Sequence, residues 1–261
     1  MDRIAIVTGG TRGMGKAISF ALAQEKTIVY AVYYSNTATA NETRMELQKI
    51  SPSSDVICAD VSKKTEVERI VADIGEKHGH IDILVNNAGI FNFCFLDEMT
   101  EEYLDRILAV NFKSQVFMLQ ACIPYLKKSS GGRVINASSI SGRFADVGLL
   151  GYGASKSSVD MLTKIAAGEL APFHITVNAY APGIIHTDMT DEMIRMRGTE
   201  QVEQIALKRF GEEKDVGDLV VFLASEKSGY ITGEIIGIDG GFFKVQNPCL
   251  AHRHAHDTYK E

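Results

Sequence analysis

Two side chains in the second half of the chain have the types and the spacing of an acid/base pair. Tyr152 and Lys156 are four residues apart, so on a helix they share one face and reach toward one bound molecule. A free tyrosine titrates at about pH 10, and an adjacent ammonium favours the phenolate, which brings the pKa toward neutral pH. The pair predicts proton exchange with a carbonyl or hydroxyl oxygen. The structural alternative is a surface Tyr and Lys that share helical spacing by chance.

A glycine-rich turn near the start of the chain is a candidate phosphate-binding loop. The stretch from Thr8 to Gly15 reads TGGTRGMG, follows a short β-branched run and opens an amphipathic pattern. Glycines permit a sharp turn and a close backbone approach, so the helix N-terminus presents free N–H groups to a pyrophosphate. The alternative is that these glycines serve only the packing of a strand against a helix.

The elements that must position these residues alternate along the chain. Apolar runs predict strands at Ile4 to Val7, Thr27 to Tyr33, Asp55 to Cys58, Ile81 to Val85, Arg133 to Asn136, Ile175 to Ala179 and Ile235 to Ile238. Helical patterns lie at Lys16 to Gln24, Asn41 to Ile50, Glu66 to Lys77, Glu101 to Leu126 and Tyr152 to Leu170. Unbroken apolar strands separated by helices predict an α/β fold, a doubly wound parallel sheet with helices on both faces.

Composition and charge bound the class of protein. The 261 residues are 45% hydrophobic with only five prolines, which predicts one domain over residues 1–243 followed by a polar tail over 244–261. The net charge of −6 offers no basic field to a nucleic acid or an anionic membrane. Four separated cysteines form no CxxC pair, and no run approaches the roughly 18 apolar residues of a membrane span, so we expect a soluble cytoplasmic protein.

Two segments fall outside the alternation. The segment from Thr187 to Phe210 carries Met189, Met193 and Met196 among charges, and such excursions are typical of lids or disordered segments. The tail carries three alternate histidines, His252, His254 and His256. A metal site is conceivable, but a solvated disordered tail is favoured because no carboxylate or cysteine partner is evident, and no metal site is predicted.

Five motifs in order resemble the short-chain dehydrogenase/reductase family over about residues 4 to 243. They are the TGxxxGxG turn, Asn86-Asn87-Ala88-Gly89, Tyr152-Gly153-Ala154-Ser155-Lys156, Pro182-Gly183, and the closing Ile231-Thr232-Gly233 with Asp239-Gly240-Gly241. The resemblance implies a Rossmann-type fold, a nicotinamide cofactor, and hydride exchange with a carbonyl or secondary alcohol. It also implies a homodimer or homotetramer joined through two long helices.

The resemblance assigns four catalytic roles. Tyr152 would be the general acid/base. Lys156 would lower the pKa of Tyr152 and bind the ribose, and Ser139 would hydrogen-bond the substrate oxygen. Ser138 is an alternative to its neighbour Ser139. Asn111 would hold a water that connects the lysine to solvent, and a buried asparagine that satisfies backbone groups is the alternative, which is compatible with the first.

The resemblance also implies a cofactor site. Asp60 and Val61 would contact adenine, Asn87 and Ala88 the ribose and sheet edge, and Ile184 with Thr187 the nicotinamide carboxamide. The full candidate set is Gly9, Thr11, Arg12, Gly13, Met14, Gly15, Tyr34, Ser35, Asn36, Asp60, Val61, Asn87, Ala88, Gly89, Tyr152, Lys156, Pro182, Gly183, Ile185 and Thr187.

The end of the second strand favours NADP(H) over NAD(H). Members that prefer NAD carry an acidic residue there, which accepts the ribose hydroxyls. This chain has Tyr34, Ser35 and Asn36 instead, and Arg12 in the glycine turn offers a bidentate cation to a 2′-phosphate. The alternative is that Arg12 is only a solvated turn residue, and use of NAD(H) stays open because Ser35 and Asn36 are neutral.

The substrate is less constrained by the sequence. Candidate pocket residues are Phe91, Phe93, Ile140, Phe144, Leu149, Met189 and Met193, which indicate an apolar cleft, although each is also compatible with core packing. The most similar subgroup is the 3-oxoacyl-(acyl-carrier-protein) reductases. This chain has Ser130 and Phe173 where basic residues for the carrier are expected, although Lys127, Lys128, Arg195 and Arg197 are alternatives.

That departure favours a small free carbonyl or alcohol over a carrier-bound substrate. A rival of another class is a nucleotide-binding regulator without turnover. The intact set of Asn111, Ser139, Tyr152 and Lys156 argues against it, since a sensor does not need the four together.

Overall fold

The computed structural model describes residues 2–258 and is built on a seven-stranded parallel sheet. The strands are β1 Arg3–Thr8, β2 Thr27–Tyr33, β3 Asp55–Cys58, β4 Ile83–Asn86, β5 Arg133–Ala137, β6 Thr176–Pro182 and β7 Ile235–Ile238. Their order across the sheet is β3-β2-β1-β4-β5-β6-β7. This is the doubly wound architecture that the alternation of apolar runs and helices predicts.

Helices cover both faces of the sheet. They are α1 Gly13–Gln24, α2 Thr37–Ile50, α3 Lys64–His78, α4 Glu101–Leu108, α5 Ser114–Leu126, α6 Leu150–Leu170, α7 Asp191–Gln204, α8 Glu213–Ala224 and α9 Pro248–Thr258. One core lies under α3, α5 and α6, where Val67, Met118 and Ala166 are buried against the sheet. The other lies under α1, α2 and α8, where residues such as Ile18 and Val220 are buried. Because both faces are covered, the inner strands β4, β5 and β6 are buried along their whole length.

The long helix expected from Glu101 to Leu126 is interrupted in the middle. Residues Ala109–Lys113 form one wide turn of π-helix between α4 and α5. Such turns insert a residue into an α-helix and are frequent at functional sites. The hydrophobic pattern does not reveal the turn, because apolar residues continue through it.

Two further helices were absent from the sequence prediction. Helix α8 packs on α1, where the Cα of Gly217 lies so close that an added Cβ would stand 3.4 Å from the Ala17 carbonyl oxygen. Helix α7 lies inside the segment expected as a lid or disordered excursion. Charges dilute the apolar pattern of α7, whereas α8 carries a mainly apolar run from Val216 to Ala224 that the prediction missed.

The tail is helical over Pro248–Thr258, where the sequence predicted a solvated disordered end. His252 Nε2 lies 2.7 Å from the carbonyl oxygen of Ala206, and the Cys249 Sγ lies 3.0 Å from Lys208 Nζ. Lys208 also pairs with Glu203 at 3.0 Å, so the helix docks beside the end of α7. Within residues 2–258, no group of three or more His, Cys, Asp or Glu side chains is arranged to hold a metal ion.

The helical stretch Glu101–Leu126 is long and apolar enough to cross a membrane by length and composition, with a mean hydropathy of 1.2 over an 18-residue window. The sequence had predicted no run of this kind. In the structure its buried side chains, among them Ile107 and Met118, pack within the protein, as expected for a core helix.

Candidate active site

A cavity of about 400 Å³ opens at the carboxyl ends of the strands. It lies where β1 pairs with both β2 and β4, the point at which the connections diverge to opposite faces. Open α/β sheets bind ligands in this crevice. Fifteen members of the candidate cofactor set line it, namely Gly9, Thr11, Arg12, Gly13, Met14, Gly15, Tyr34, Ser35, Asn36, Asp60, Val61, Asn87, Ala88, Gly89 and Thr187.

The glycine turn gives the cavity an open helix terminus. Gly9 and Gly13 have φ angles of +63° and +53°, which side chains tolerate poorly. A Cβ on Gly15 would stand 2.0 Å from the Gly9 carbonyl oxygen, so only glycine permits this fold of the turn. Helix α1 begins at Gly13 with no side chain capping its N-terminus. The uncapped N–H groups beside the cavity fit a pyrophosphate, and the residues present therefore suit a dinucleotide.

A buried polar network ties the turn to β4 and β6. The Thr8 hydroxyl accepts the backbone N–H groups of Asn87 at 2.9 Å and Ala88 at 3.0 Å. The Asn87 amide Nδ2 donates to the carbonyl oxygens of Thr8 at 3.0 Å and Gly9 at 3.2 Å. Tyr180 donates its hydroxyl to Asn87 Oδ1 at 2.9 Å. Sequence reasoning missed Tyr180, because nothing in its local pattern connects it to a turn far away in the chain.

The far end of the cavity carries no carboxylate from β2. Arg12 is exposed there, beside Tyr34 and Ser35, and no residue of the described range forms an ion pair with it. The Asn36 side chain lines the cavity, but its Oδ1 caps α2 by accepting the Thr39 N–H at 3.2 Å. Asp60 is 8% exposed, and its Oδ1 accepts the hydroxyl and N–H of Ser62.

The sequence-predicted catalytic side chains converge beside this cavity. Lys156 Nζ lies 5.7 Å from the centroid of the Tyr152 ring and donates to the Ala137 carbonyl oxygen at 2.8 Å. A Cβ on Gly89, which lines the cavity, would stand 3.6 Å from Lys156 Nζ. Burial lowers the pKa of Lys156 to about 8, while the charge of Asp160 opposes this shift.

The pKa of Tyr152 does not move as expected from the spacing. Burial raises it, and a hydrogen bond with the Ser139 hydroxyl works in the opposite direction. Lys156 does not lower this pKa, because its amine has a pKa of about 8 and is neutral at the higher pH where the phenol titrates. The ring is held by Phe91, whose edge meets it at 5.0 Å between centroids.

Ser138 and Ser139 point to different partners. The Ser138 hydroxyl donates to the buried carboxylate of Asp160, which also pairs with Arg143 at 3.2 Å. The Ser139 hydroxyl instead forms a hydrogen bond with the Tyr152 phenol. The two serines are thus separated by the alternation of side chains at the end of β5.

Asn111 lies at the centre of the π-helical turn. Its Oδ1 accepts the Ile90 N–H at 2.8 Å, and its Nδ2 donates to the Ile90 carbonyl oxygen and to Ser155 Oγ. The expected alternative role, satisfaction of backbone groups, is therefore present. The wide turn brings this amide toward the active site, since a Cβ on Gly89 would stand 3.3 Å from its Oδ1.

Several expected residues lie outside the cavity wall. The Ile185 side chain is 3% exposed and belongs to the core with Val216, and Ile184 packs in a second apolar cluster. Pro182 and Gly183 secure β6 against β7, where a Cβ on Gly183 would meet Asp239 at 2.9 Å. The two isoleucine side chains are drawn into the core, so only the backbone of this segment is left for the predicted contact with the cofactor.

The candidate substrate residues divide into two groups. Phe91 and Phe93 stack edge to face at 5.3 Å beside Tyr152, Leu149 is 5% exposed, and Met189 lines the cavity. Ile140 and Met193 instead pack against Phe242 in an apolar cluster, and Phe144 lies 5.7 Å from Phe243.

Other wall residues were not predicted. They are Val32, Tyr33, Thr39, Ala59, Ile90, Arg106, Val110 and Asp188. Most flank predicted positions along a strand end, and proximity in sequence was the signal available for them. Arg106 is different, because helix α4 brings its guanidinium to 5.8 Å from the Tyr34 ring centroid.

Comparisons with known proteins find relatives along nearly the whole chain. A family model described as enoyl-(acyl carrier protein) reductase matches residues 9–243. The 3-oxoacyl-(acyl-carrier-protein) reductase of Staphylococcus epidermidis is 39% identical over 243 residues, 93% of this chain and 100% of that protein. The (S)-acetoin-forming diacetyl reductase of the same species is 37% identical, covering 92% and 98% of the two chains.

A solved structure is similar as well. The blue fluorescent protein from a metagenomic library, in complex with NADPH, is 34% identical with a TM-score of 0.87. The match covers 92% of this chain and 97% of that one.

Proposed function

Because the chain belongs to the short-chain dehydrogenase/reductase family, we propose that it exchanges hydride between NADP(H) and a small carbonyl compound or the corresponding secondary alcohol. The observation that carries the proposal is the convergence of three groups beside the cavity. The Ser139 hydroxyl hydrogen-bonds the Tyr152 phenol, and the Lys156 ammonium lies 5.7 Å from the centre of that ring. Lys156 also borders Gly89 of the cavity wall. An acid, its hydrogen-bonded helper and a cation are what carbonyl reduction needs at the substrate oxygen.

Tyr152, Ser139 and Lys156 have different roles at the substrate oxygen. NADPH, when bound, supplies the hydride to the carbonyl carbon. Tyr152 donates its proton to the oxygen, and Ser139 donates a hydrogen bond to the same atom. At neutral pH Lys156, whose pKa is about 8, is mainly charged and stabilises the phenolate that remains, since a nearby cation favours the charged form. Oxidation of the alcohol uses the same groups, with Tyr152 as the base.

Asn111 supports Lys156 in this proposal. Its amide and the Lys156 ammonium both border Gly89. We assign it the role of holding a water between the lysine and solvent, alongside its bonds to Ile90.

Arg12 supports the preference for NADP(H). It is exposed at the end of the cavity where β2 contributes neutral side chains only. A guanidinium binds a phosphate in a bidentate manner, and no carboxylate at the end of β2 repels it. The structural relative that binds NADPH is consistent with this choice.

A small free carbonyl is the proposed substrate. The aromatic pair Phe91 and Phe93 and the buried Leu149 make the surroundings of Tyr152 apolar. The relative that forms (S)-acetoin acts on a small carbonyl compound. A 3-oxoacyl chain on a carrier protein is the second candidate, favoured by the relative of 39% identity.

The candidate docking position for a carrier is altered in this chain. Phe173 is covered by the Lys127 ammonium, 3.7 Å from the ring centroid, so one cation of that region is engaged with an aromatic face. This contact favours the free carbonyl.

We also propose a cytoplasmic homodimer or homotetramer. Met161 and Ile165 are about half exposed on one face of α6, and this apolar stripe is suited to a second copy. Four free cysteines are consistent with a reducing compartment.

The test is a titration of the purified chain with NADPH and NADH, followed by a panel of ketones, diketones, β-ketoesters, acyl thioesters and acyl-carrier thioesters. Turnover of any substrate establishes the enzyme, and a large preference for the carrier-bound thioester would replace the small-carbonyl proposal. Tyr152→Phe should lower kcat by about 10²-fold or more, in line with loss of a general acid, while NADPH still binds. NADPH binding without turnover of any substrate would favour the regulator.

A further inference from the structure

Tyr180 is a fully buried tyrosine of β6 whose hydroxyl has one hydrogen-bond partner among residues 2–258. The residue is 0% exposed, and the hydroxyl donates to Asn87 Oδ1 at 2.9 Å. Burial strongly raises its pKa, and the neighbouring Tyr152 adds to the shift. The hydroxyl therefore stays protonated across the physiological range and remains a donor.

The donor determines how the Asn87 amide is oriented. With Oδ1 facing Tyr180, Nδ2 points at the carbonyl oxygens of Thr8 and Gly9, at 3.0 and 3.2 Å. A flipped amide would set its oxygen against two carbonyl oxygens and leave the hydroxyl without an acceptor. Only one of the two orientations satisfies all of these groups.

The amide nitrogen also fills the space inside the glycine turn. A Cβ on Gly15 would stand 2.5 Å from Nδ2, and one on Gly9 would stand 3.0 Å from it. The turn is thus closed around the Asn87 amide. Displacement of that amide releases the Gly9 carbonyl and the start of α1, the groups that fit a pyrophosphate.

We propose that Tyr180 is a positioning residue for the cofactor, which acts through Asn87 to hold the glycine turn in its dinucleotide-binding shape. This inference rests on the proposed function. A purely structural tyrosine would affect stability alone, whereas a positioning residue changes cofactor affinity with little effect on turnover at saturation.

The first experiment is Tyr180→Phe, which removes one oxygen and keeps the ring. The Kd for NADPH, measured by nicotinamide fluorescence, is expected to rise about threefold to tenfold, the equivalent of one hydrogen bond. The kcat at saturating NADPH is expected to stay within about twofold. Tyr30→Phe is the matched control, because Tyr30 is a strand tyrosine, 4% exposed, whose hydroxyl lies 2.7 Å from His78 Nε2 on the other face of the sheet.

A double-mutant cycle tests the route through Asn87. In an Asn87→Ala background, Tyr180→Phe is expected to change the Kd by less than about twofold, since the amide it orients is gone. If Tyr180→Phe does not fold, Asn87→Asp is the second variant. It keeps the acceptor for Tyr180 but removes the donor to Gly9, and is expected to raise the Kd more than about tenfold.

Three results would overturn the inference while the proposed function stands. They are an unchanged Kd in Tyr180→Phe or in Asn87→Asp, an equal rise in Tyr30→Phe, or fully additive effects in the cycle. No NADPH binding by the wild-type chain would instead overturn the proposed function and, with it, this inference.

Discussion

Replacement of Arg12 by alanine should weaken NADPH binding and leave NADH binding nearly unchanged. Arg12 is exposed at the end of the cavity, with the neutral side chains Tyr34, Ser35 and Asn36 beside it. The two cofactors differ only in the 2′-phosphate. NADH therefore serves as an internal control for any damage to the rest of the site.

The magnitude follows from the exposure of the guanidinium. A hydrogen bond to a charged group contributes about 1.5–3 kcal/mol, and solvent screening at an exposed position favours the lower end. A loss of about 1.5–2 kcal/mol corresponds to a rise in the Kd for NADPH of about 10- to 30-fold. The effect should shrink as the salt concentration rises.

The assay is a fluorescence titration of both cofactors at two ionic strengths. Arg69→Ala is the control for net charge, because Arg69 lies on α3 in an exposed pair with Asp73 and outside the cavity wall. An equal loss of NADPH and NADH affinity in Arg12→Ala would refute the role of Arg12 in phosphate recognition. So would an NADPH affinity that does not change at all.

Two further variants test the glycine turn and the buried lysine. Gly15→Ala should raise the Kd for NADPH by more than about tenfold, because its Cβ would stand 2.0 Å from the Gly9 carbonyl oxygen. Gly168→Ala is the control, since the space around its Cβ is open, and it should bind NADPH with the affinity of the wild type. The pKa of Lys156 is lowered from 10.5 to about 8, so between these values the unfolded chain binds more protons, and Lys156 makes stability rise with pH. The measurement is the free energy of unfolding by urea for the wild type and for Lys156→Met. The wild-type value minus the variant value should increase by up to about 1.4 kcal/mol per pH unit from pH 8 to 9.5. A flat difference would contradict the buried charge.

The strands and most helices could be predicted because their causes are local. The run Thr27–Tyr33 is rich in β-branched and aromatic residues and forms β2 with the predicted bounds. The glycines of the first turn could be recognised as a turn from sequence, since glycine is the residue type that readily adopts positive φ angles. The doubly wound fold follows from the alternation of such runs with helices.

Features with distant causes could not be predicted in the same way. The π-helical turn holds Asn111, whose amide bonds to Ile90 across a sequence separation of 21 residues. The pKa of Tyr152 depends on burial, which spacing to Lys156 does not report. Arg106 of α4 lies 5.8 Å from the Tyr34 ring centroid, a contact between residues 72 positions apart in the sequence.

The order of strands in the sheet has a consequence for folding of the chain during its synthesis on the ribosome. β1 pairs with β4, so that Ile6 faces Leu84, and Tyr180 joins Asn87 from 93 residues further along the chain. Two long loops must close before the glycine turn is held in its final shape, and closing such loops delays folding. A growing chain should therefore gain cofactor affinity only after β6 has emerged, and NADPH should stabilise the finished fold without guiding its early steps.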